Sequence, residues 1–182
     1  MMQHPRSMEL VAHLDTNRAQ LWLAVEAVAP PDRERRPSPD RWSVAEVLEH
    51  LAIVENRVTT RLGDAFEAAR AAGMTPDEET SSVVDPSFLK RAHDRSRRFK
   101  TGEHAEPHGG ITASEAWTKL EDSRQAFLNL LERADGLAVS GIAAPHPAFG
   151  TLTFHQWAVF LGAHDARHAA QIREMADQLK SR

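Results

Sequence analysis

Residues 153–179, T-F-H-Q-W-A-V-F-L-G-A-H-D-A-R-H-A-A-Q-I-R-E-M-A-D-Q-L, decide the fold of this chain. Thr153 and Gln156 form the T-x-x-Q pattern of a capping box, which predicts that a helix begins here. Apolar residues then recur at helical spacing and form a stripe typical of a helix that faces a core. The members of this stripe are Trp157, Leu161, Ile172, Met175 and Leu179.

Two histidines occupy positions on the same stripe. His164 and His168 lie one helical turn apart on one face, which is close enough for both imidazoles to bind a single ion. Two polar rings in an apolar stripe are costly unless something compensates for their burial. We expect a divalent metal to do so, with His50 as a third ligand from another helix. The alternative is that the histidines are satisfied core residues and bind no metal.

Three further long helices are predicted upstream, each from a start signal and an apolar period. The first begins at Ser7 as N-cap and carries Leu10, Leu14, Leu21, Val25 and Val28. The second begins with the capping box Ser43–Glu46 and continues to Ala72, and the third begins with Thr112–Glu115 and ends near Asp135. His50 lies one helical step from Val47 and from Val54 in the second helix, so its ring is expected to face inward.

These elements predict one all-α domain over residues 1–182, a four-helix bundle with a long crossover between the second and third long helices. No segment alternates convincingly with period two, so no strand is predicted. The crossover, residues 74–112, holds six basic residues in the segment 90–100: Lys90, Arg91, Arg95, Arg97, Arg98 and Lys100. With Phe88, Leu89 and Phe99 nearby, this segment is interpreted as a short amphipathic helix over the bundle whose charges face solvent; a patch for an anionic substrate is the alternative.

The composition limits the classes of function. The chain has 182 residues, a net charge of −4 and a pI near 6.2, so neither nucleic acid nor an anionic membrane is expected as a partner. It has no cysteine, which excludes disulfides, thiolate metal ligands and a cysteine nucleophile. No apolar run approaches the roughly 18 residues of a membrane helix. Residues 1–7 are expected to be a frayed tail, and the protein to be cytoplasmic.

The sequence H-D-A-R-H at 164–168 is similar to the H-E-x-x-H of zinc peptidases, in which the glutamate is the general base. Asp165 is shorter by one methylene, and the fourteen residues after His168 do not reproduce the spacing to a downstream ligand. A peptidase is therefore disfavoured, and the third ligand is expected upstream. Asp165 is interpreted as an exposed charge and Glu46 as a capping residue, with support of His50 as the alternative role for Glu46.

Two blocks carry a resemblance to a known family. W-S-V-A-E-V-L-E-H-L at 42–51 and H-P-A-F-G-T-L-T-F-H-Q-W-A-V-F-L-G-A-H-D-A-R-H-A-A-Q-I at 146–172 resemble the DinB-like superfamily, which includes YfiT-type metal-dependent hydrolases and bacillithiol- and mycothiol-dependent transferases. The resemblance implies an up-down-down-up bundle that forms a homodimer. It also implies a divalent ion, zinc or nickel, bound by His50, His164 and His168, and a supporting role for Gln171.

The function expected from this resemblance is transfer of a low-molecular-weight thiol to an electrophilic small molecule, with the metal activating the thiol. Metal-dependent hydrolysis is the alternative reaction, since a metal ion ionises water in the same way. A third interpretation is a metal-binding stress or interaction protein without catalysis, because a fold does not establish an activity. The sequence assigns no catalytic residue beyond the three ligands.

Overall fold

The computed structural model describes residues 2–96 and 102–180, and helices dominate its architecture. The helices are α1 (Pro5–Glu26), α2 (Val44–Ala71), α3 (Pro86–His93), α4 (Ala113–Ala134) and α5 (Phe154–Lys180), and the strands are β1 (Ala143–His146) and β2 (Gly150–Thr153). The four long helices form a bundle, and the short α3 lies in the crossover between α2 and α4. The predicted four-helix bundle with a long crossover is confirmed.

Capping boxes start three of the long helices, as predicted. In each box the side chain of the first residue accepts the backbone N–H of the residue three positions later, whose own side chain accepts the first N–H. The distances lie between 2.8 and 3.3 Å. The pairs are Ser43 with Glu46, Thr112 with Glu115, and Thr153 with Gln156.

The prediction for the start of α1 is wrong. Pro5, not a residue after Ser7, is the first residue of the helix, and His4 is its N-cap. The carboxylate of Asp135 accepts the N–H groups of Gln3, at 2.8 Å, and His4, at 3.1 Å. A distant carboxylate thus anchors a segment that was expected to be a frayed tail, and no local signal in the sequence reveals it.

The absence of strands was also predicted wrongly. β1 and β2 pair antiparallel, with Ala143 opposite Thr153 and His146 opposite Gly150. Gly150 has φ +74°, a conformation that glycine adopts without strain at the end of a tight turn. Each strand has only four residues, which is too short for an alternating pattern to be distinguished from a loop.

The ion pairs and hydrogen bonds between helices show in which direction each helix runs. α2 and α4 run parallel, α1 and α5 run parallel, and the start of α1 contacts the chain just after the end of α2. The first statement follows from the pairs Glu55–Arg124 and Glu67–Arg133, and the second from the pairs Arg18–Asp165 and Gln20–Arg173. The third follows from the pair Arg6–Asp77. The bundle is therefore up-down-down-up. The crossover connects the end of α2 with the opposite end of the bundle, where α4 begins.

The core consists of two apolar clusters stacked along the bundle axis. One, near the start of α1, includes Leu10, Leu14, Leu62, Phe66, Phe127 and Leu161. The other, near the end of α1, includes Leu21, Val25, Leu48, Leu120, Ile172 and Met175. Because the apolar residues form stripes, no helix among the described residues is apolar over a length that could cross a membrane.

A buried layer of charged residues lies between the two clusters and joins all four long helices. The Glu55 carboxylate of α2 accepts hydrogen bonds from Arg18 of α1, at 3.0 Å, and from Ser123 and Arg124 of α4, at 2.8 and 2.6 Å. Asp165 of α5 accepts from the same two arginines, at 2.9 and 3.1 Å. The two positive and two negative charges cancel, so each buried ion has partners of opposite sign.

The crossover contains a short helix, but it overlaps the segment 90–100 predicted to be helical only at residues 90–93, because α3 ends at His93. α3 packs on α5 and buries Phe88 and Ala92, while Lys90 lies on its outer side. Arg95, just after α3, forms a bidentate pair with Glu174 of α5 at 2.7 and 2.8 Å. Of the remaining predicted basic and aromatic residues, Arg97, Arg98, Phe99 and Lys100 lie outside the described residues.

Substitution of Glu55 tests the buried layer. Glu55→Gln is expected to lower the free energy of unfolding by about 3–5 kcal/mol, because Asp165 then remains as the counter-ion for two buried guanidinium groups and one buried positive charge is uncompensated. Urea denaturation followed by circular dichroism measures this. The matched control is Glu67→Gln, which breaks the half-exposed pair with Arg133 and is expected to cost less than about 1 kcal/mol. Equal costs for the two variants would contradict the assignment.

Candidate metal centre

Three histidine side chains from two helices converge inside the bundle. The Nε2 atom of His164 lies 3.0 Å from Nε2 of His168 and 3.4 Å from Nε2 of His50. The three nitrogens all lie within 4.8 Å of one another. The structure thus brings together all three predicted ligands.

The helices position these side chains by simple periodicity. His164 and His168 are one turn apart on α5, so their rings project from the same face. His50 lies two turns into α2, whose start is fixed by the capping box at Ser43. Both helices therefore set the positions of the rings through regular backbone rather than through loops.

Hydrogen bonds on the far side of two rings fix which nitrogen faces the centre. His50 Nδ1–H donates to the carbonyl of Ala105 at 2.7 Å, and His168 Nδ1–H donates to Oε1 of Gln171 at 2.9 Å. A ring that donates from Nδ1 presents the lone pair of Nε2 when it is neutral. Gln171 thus contacts the ring of a predicted ligand, as its predicted supporting role requires, whereas the contact with the Ala105 carbonyl was not predicted.

Aromatic side chains surround the imidazoles. Phe160 stacks on His164 with ring centroids 5.2 Å apart and an interplanar angle of 19°, and Trp42 lies 5.0 Å from His50. His146, in the hairpin, lies 4.5 Å from Phe160. His50 is 5% exposed and His168 is 9% exposed, whereas His164 is partly exposed, so the centre is shielded from water on most sides but not on all.

Burial keeps the three imidazoles neutral. It lowers the pKa of His50 and lowers the pKa of His164 well below its ordinary value, and the neighbouring imidazoles lower the His164 pKa further. For His168, burial is the largest cause and His50 the next, and together they bring the pKa to about 3. Neutral imidazole is the form that binds a metal.

The geometry of the donor atoms fits a divalent cation. Two nitrogens bound at about 2.05 Å in tetrahedral geometry lie roughly 3.3 Å apart, close to the 3.0 and 3.4 Å seen here. Without a cation, the Nε2 lone pairs of His50 and His168 both face His164, which has at most one Nε2 proton to donate. A cation at the centre satisfies all three lone pairs, and imidazole ligands suit zinc and nickel.

Asp165 is not the exposed charge that the sequence suggested. It is 2% exposed and bonded to Arg18 and Arg124 in the buried layer. Burial raises the pKa of this carboxyl, and the two guanidinium groups oppose that shift. Its side chain is therefore committed to the core and is not placed as a general base like the glutamate of H-E-x-x-H.

Glu46 and several other histidines of the chain lie outside the centre. Glu46 completes its capping box and pairs with Arg36, which confirms the capping role. His13 is not one of the clustered histidines: its Nε2 lies 3.0 Å from the carbonyl oxygen of Val159. His104 and His108, which share the four-residue spacing, are exposed in the crossover.

Comparisons with known proteins agree with this architecture. A family model described as the DinB superfamily matches residues 13–172, a span that contains the three histidines. The uncharacterized protein YuaE of Bacillus subtilis (strain 168) is 28% identical over 167 residues, covering 90% of this chain and 94% of that protein. The crystal structure of TT2238, a four-helix bundle protein, aligns over 92% of this chain and 98% of that one, with a TM-score of 0.59 and 18% identity. This last similarity supports the fold alone.

The lowered pKa of His168 predicts how pH affects the metal-free protein. Between the ordinary value of 6.5 and about 3, the unfolded chain binds a proton that the folded chain does not. The free energy of unfolding should therefore fall as the pH falls through this window. Replacing His168 by glutamine, which does not titrate, should make the fall less steep.

Urea denaturation in the presence of a chelator, repeated across this pH window, measures the slope. The control is His104→Gln, which removes an exposed histidine and should leave the slope of the wild-type protein unchanged. A slope that responds equally to both substitutions would contradict the burial of a neutral His168.

Proposed function

This chain belongs to the DinB superfamily, and we propose that it is a divalent-metal-dependent enzyme that transfers a low-molecular-weight thiol to an electrophilic small molecule. The observation that carries the proposal is the convergence of the Nε2 atoms of three imidazoles inside the bundle. Three protein ligands leave a tetrahedral ion one open position, which is the arrangement of catalytic rather than structural zinc sites.

Each residue of the centre has a defined task in this proposal. His50, His164 and His168 would hold zinc or nickel, and the cation would lower the pKa of a thiol brought to it, so that the thiol would release its proton to solvent at neutral pH. The thiolate sulfur would then form a bond to the electrophilic carbon as the bond from that carbon to its leaving group breaks. The Ala105 carbonyl and Gln171 keep the rings of His50 and His168 in the orientation that presents Nε2. Because the chain has no cysteine, the thiol must come from outside it.

The carboxylates near the ligands favour thiol transfer over hydrolysis. A metal-dependent hydrolase commonly uses a carboxylate as general base beside the ion. Here Glu46 serves a helix cap, Glu49 accepts a backbone N–H of the crossover, and Asp165 pairs with two arginines. A thiol needs less help, since its pKa is near 8.5 before it meets a cation and falls further beside one.

A non-catalytic metal-binding protein is the second candidate. The low exposure of His50 and His168, 5% and 9%, favours it, because structural metal sites are closed to solvent. The small-molecule substrate and the homodimer stay predictions in both cases. Metal binding is common to the two candidates, and turnover separates them.

The first test is metal content. Protein purified without chelators is expected to carry about one divalent ion per chain. His50→Ala should weaken zinc binding by more than about 100-fold, because losing a ligand costs more than losing one of its supporting contacts, which costs about 10–100-fold. Elemental analysis and competition with a chromophoric chelator measure both quantities.

His104→Ala is the matched control for the ligand assignment. This residue lies in the crossover with an exposed side chain, so its loss should leave zinc affinity at the wild-type value. If the two substitutions weaken binding equally, the ligand set is wrong. If the wild-type protein stays metal-free after reconstitution with zinc or nickel, the histidines are core residues only.

The second test is catalysis by the metal-loaded protein. A panel of low-molecular-weight thiols and electrophiles is expected to reveal thiol consumption that His168→Ala abolishes. Gln171→Ala should lower the rate by roughly 10–100-fold through poorer metal retention and ring orientation. Metal-loaded protein that consumes no thiol supports the non-catalytic candidate, and a rate that His168→Ala leaves unchanged rules out the mechanism.

A further inference from the structure

Glu49 is a buried carboxylate that accepts a hydrogen bond from the crossover and has no part in the proposed reaction. It precedes His50 on α2 and is 5% exposed. Its Oε2 accepts the backbone N–H of Gly109 at 2.9 Å, and its Oε1 lies 3.5 Å from Nδ1 of His108, whose side chain is 81% exposed. A carboxylate removed from water in this way requires a hydrogen-bond donor that stays in place.

The segment that supplies this donor also supports a metal ligand. Ala105, at the end of a short 3₁₀ turn, is 7% exposed and its carbonyl accepts Nδ1–H of His50 at 2.7 Å. Four residues later, Gly109 and Gly110 take φ values of +72° and +76°, which turn the backbone so that its N–H reaches α2. Adjacent residues of α2 thus hold the two ends of segment 105–109.

We propose that Glu49 is a positioning residue of the metal centre: by accepting the Gly109 N–H it latches segment 105–109 against α2, so that the Ala105 carbonyl holds the His50 ring with Nε2 toward His164 and His168. The inference rests on the proposed metal site and adds a residue that contacts neither metal nor substrate. Its effect passes through backbone atoms of the crossover.

The two hydrogen bonds depend on each other. If segment 105–109 leaves α2, the Glu49 carboxylate and the His50 Nδ1–H lose their partners together, and each carries the desolvation cost of a buried unsatisfied group. The His50 ring is then free to flip or to change tautomer, which points a protonated nitrogen at the centre. The latch therefore restricts the rotation of the His50 ring and keeps this ligand in the orientation that binds a metal.

Glu49→Leu in the full-length protein tests the latch. Zinc affinity, measured by chelator competition, is expected to fall about tenfold, the lower end of the range for contacts that support a ligand. Glu49→Gln keeps an oxygen that accepts the Gly109 N–H and should bind zinc within about threefold of the wild-type protein. Glu106→Leu removes an exposed glutamate from the same segment and should have no effect.

Nitrogen NMR of the His50 ring in metal-free protein provides a readout that needs no metal. The wild-type protein and Glu49→Gln should show a single tautomer with the proton on Nδ1, and Glu49→Leu a mixture. If Glu49→Leu does not fold, Glu49→Asp, whose carboxylate is one methylene shorter, should give the same loss of affinity and the same mixture.

The outcomes separate this inference from the metal site itself. Wild-type protein that binds no zinc, with His50 still in one tautomer, contradicts the metal site and leaves the latch supported. Normal zinc affinity in Glu49→Leu overturns the latch while the metal site stands. Loss of affinity in Glu49→Gln equal to that in Glu49→Leu also overturns it, because charge rather than the Gly109 hydrogen bond would then be the cause.

Discussion

The ion layer formed by Arg18, Glu55, Arg124 and Asp165 is the constraint on which the rest of the structure depends. Each of the four long helices contributes one of these charges, and each charge has partners on other helices. An apolar core of leucines and alanines tolerates small rotations and shifts of its helices, because hydrophobic contacts are not directional. Buried ions tolerate far less, since a helix that slips leaves a charge without its partner.

The ion layer also orients the candidate metal centre, because α5 carries both Asp165 and two of the predicted ligands. Asp165 follows His164 directly, about 100° further round the helix, and precedes His168 by three residues. The rotation of α5 that brings Asp165 to the two arginines therefore also turns the two histidines toward α2. On α2, Glu55 comes five residues after His50 and anchors that helix in the same layer. The ion layer thus fixes the rotation and position of the two helices that carry the predicted ligands. The imidazoles are brought together by these rigid helices and not by a mobile loop.

The features that the sequence predicted are those that local spacing determines. Capping boxes located the starts of three helices, and a four-residue spacing on an apolar stripe identified His164 and His168. His50 required its inward position on α2 and the family resemblance together. The role of Asp165 could not be predicted, because its partners lie 41 and 147 residues away and an aspartate is mostly exposed unless it is paired. The contact of His50 with the Ala105 carbonyl could not be predicted either. Every residue has a backbone carbonyl, and only the fold determines which one accepts the hydrogen bond from His50.

The electrostatics of the centre depend on where the neighbouring carboxylates find their partners. The acidic groups nearest the ligands are neutralised or hydrogen-bonded elsewhere: Asp165 by arginines, and Glu49 by the Gly109 N–H. Three neutral imidazoles do not reduce the charge of a divalent cation as carboxylate ligands would, and low exposure to water weakens screening. A site of this kind acts most strongly on an acidic group brought to it, and a thiol, more acidic than water by about seven pKa units, ionises there with the least assistance. The commitment of the carboxylates to the fold therefore supports the proposal that the substrate is an external thiol rather than water.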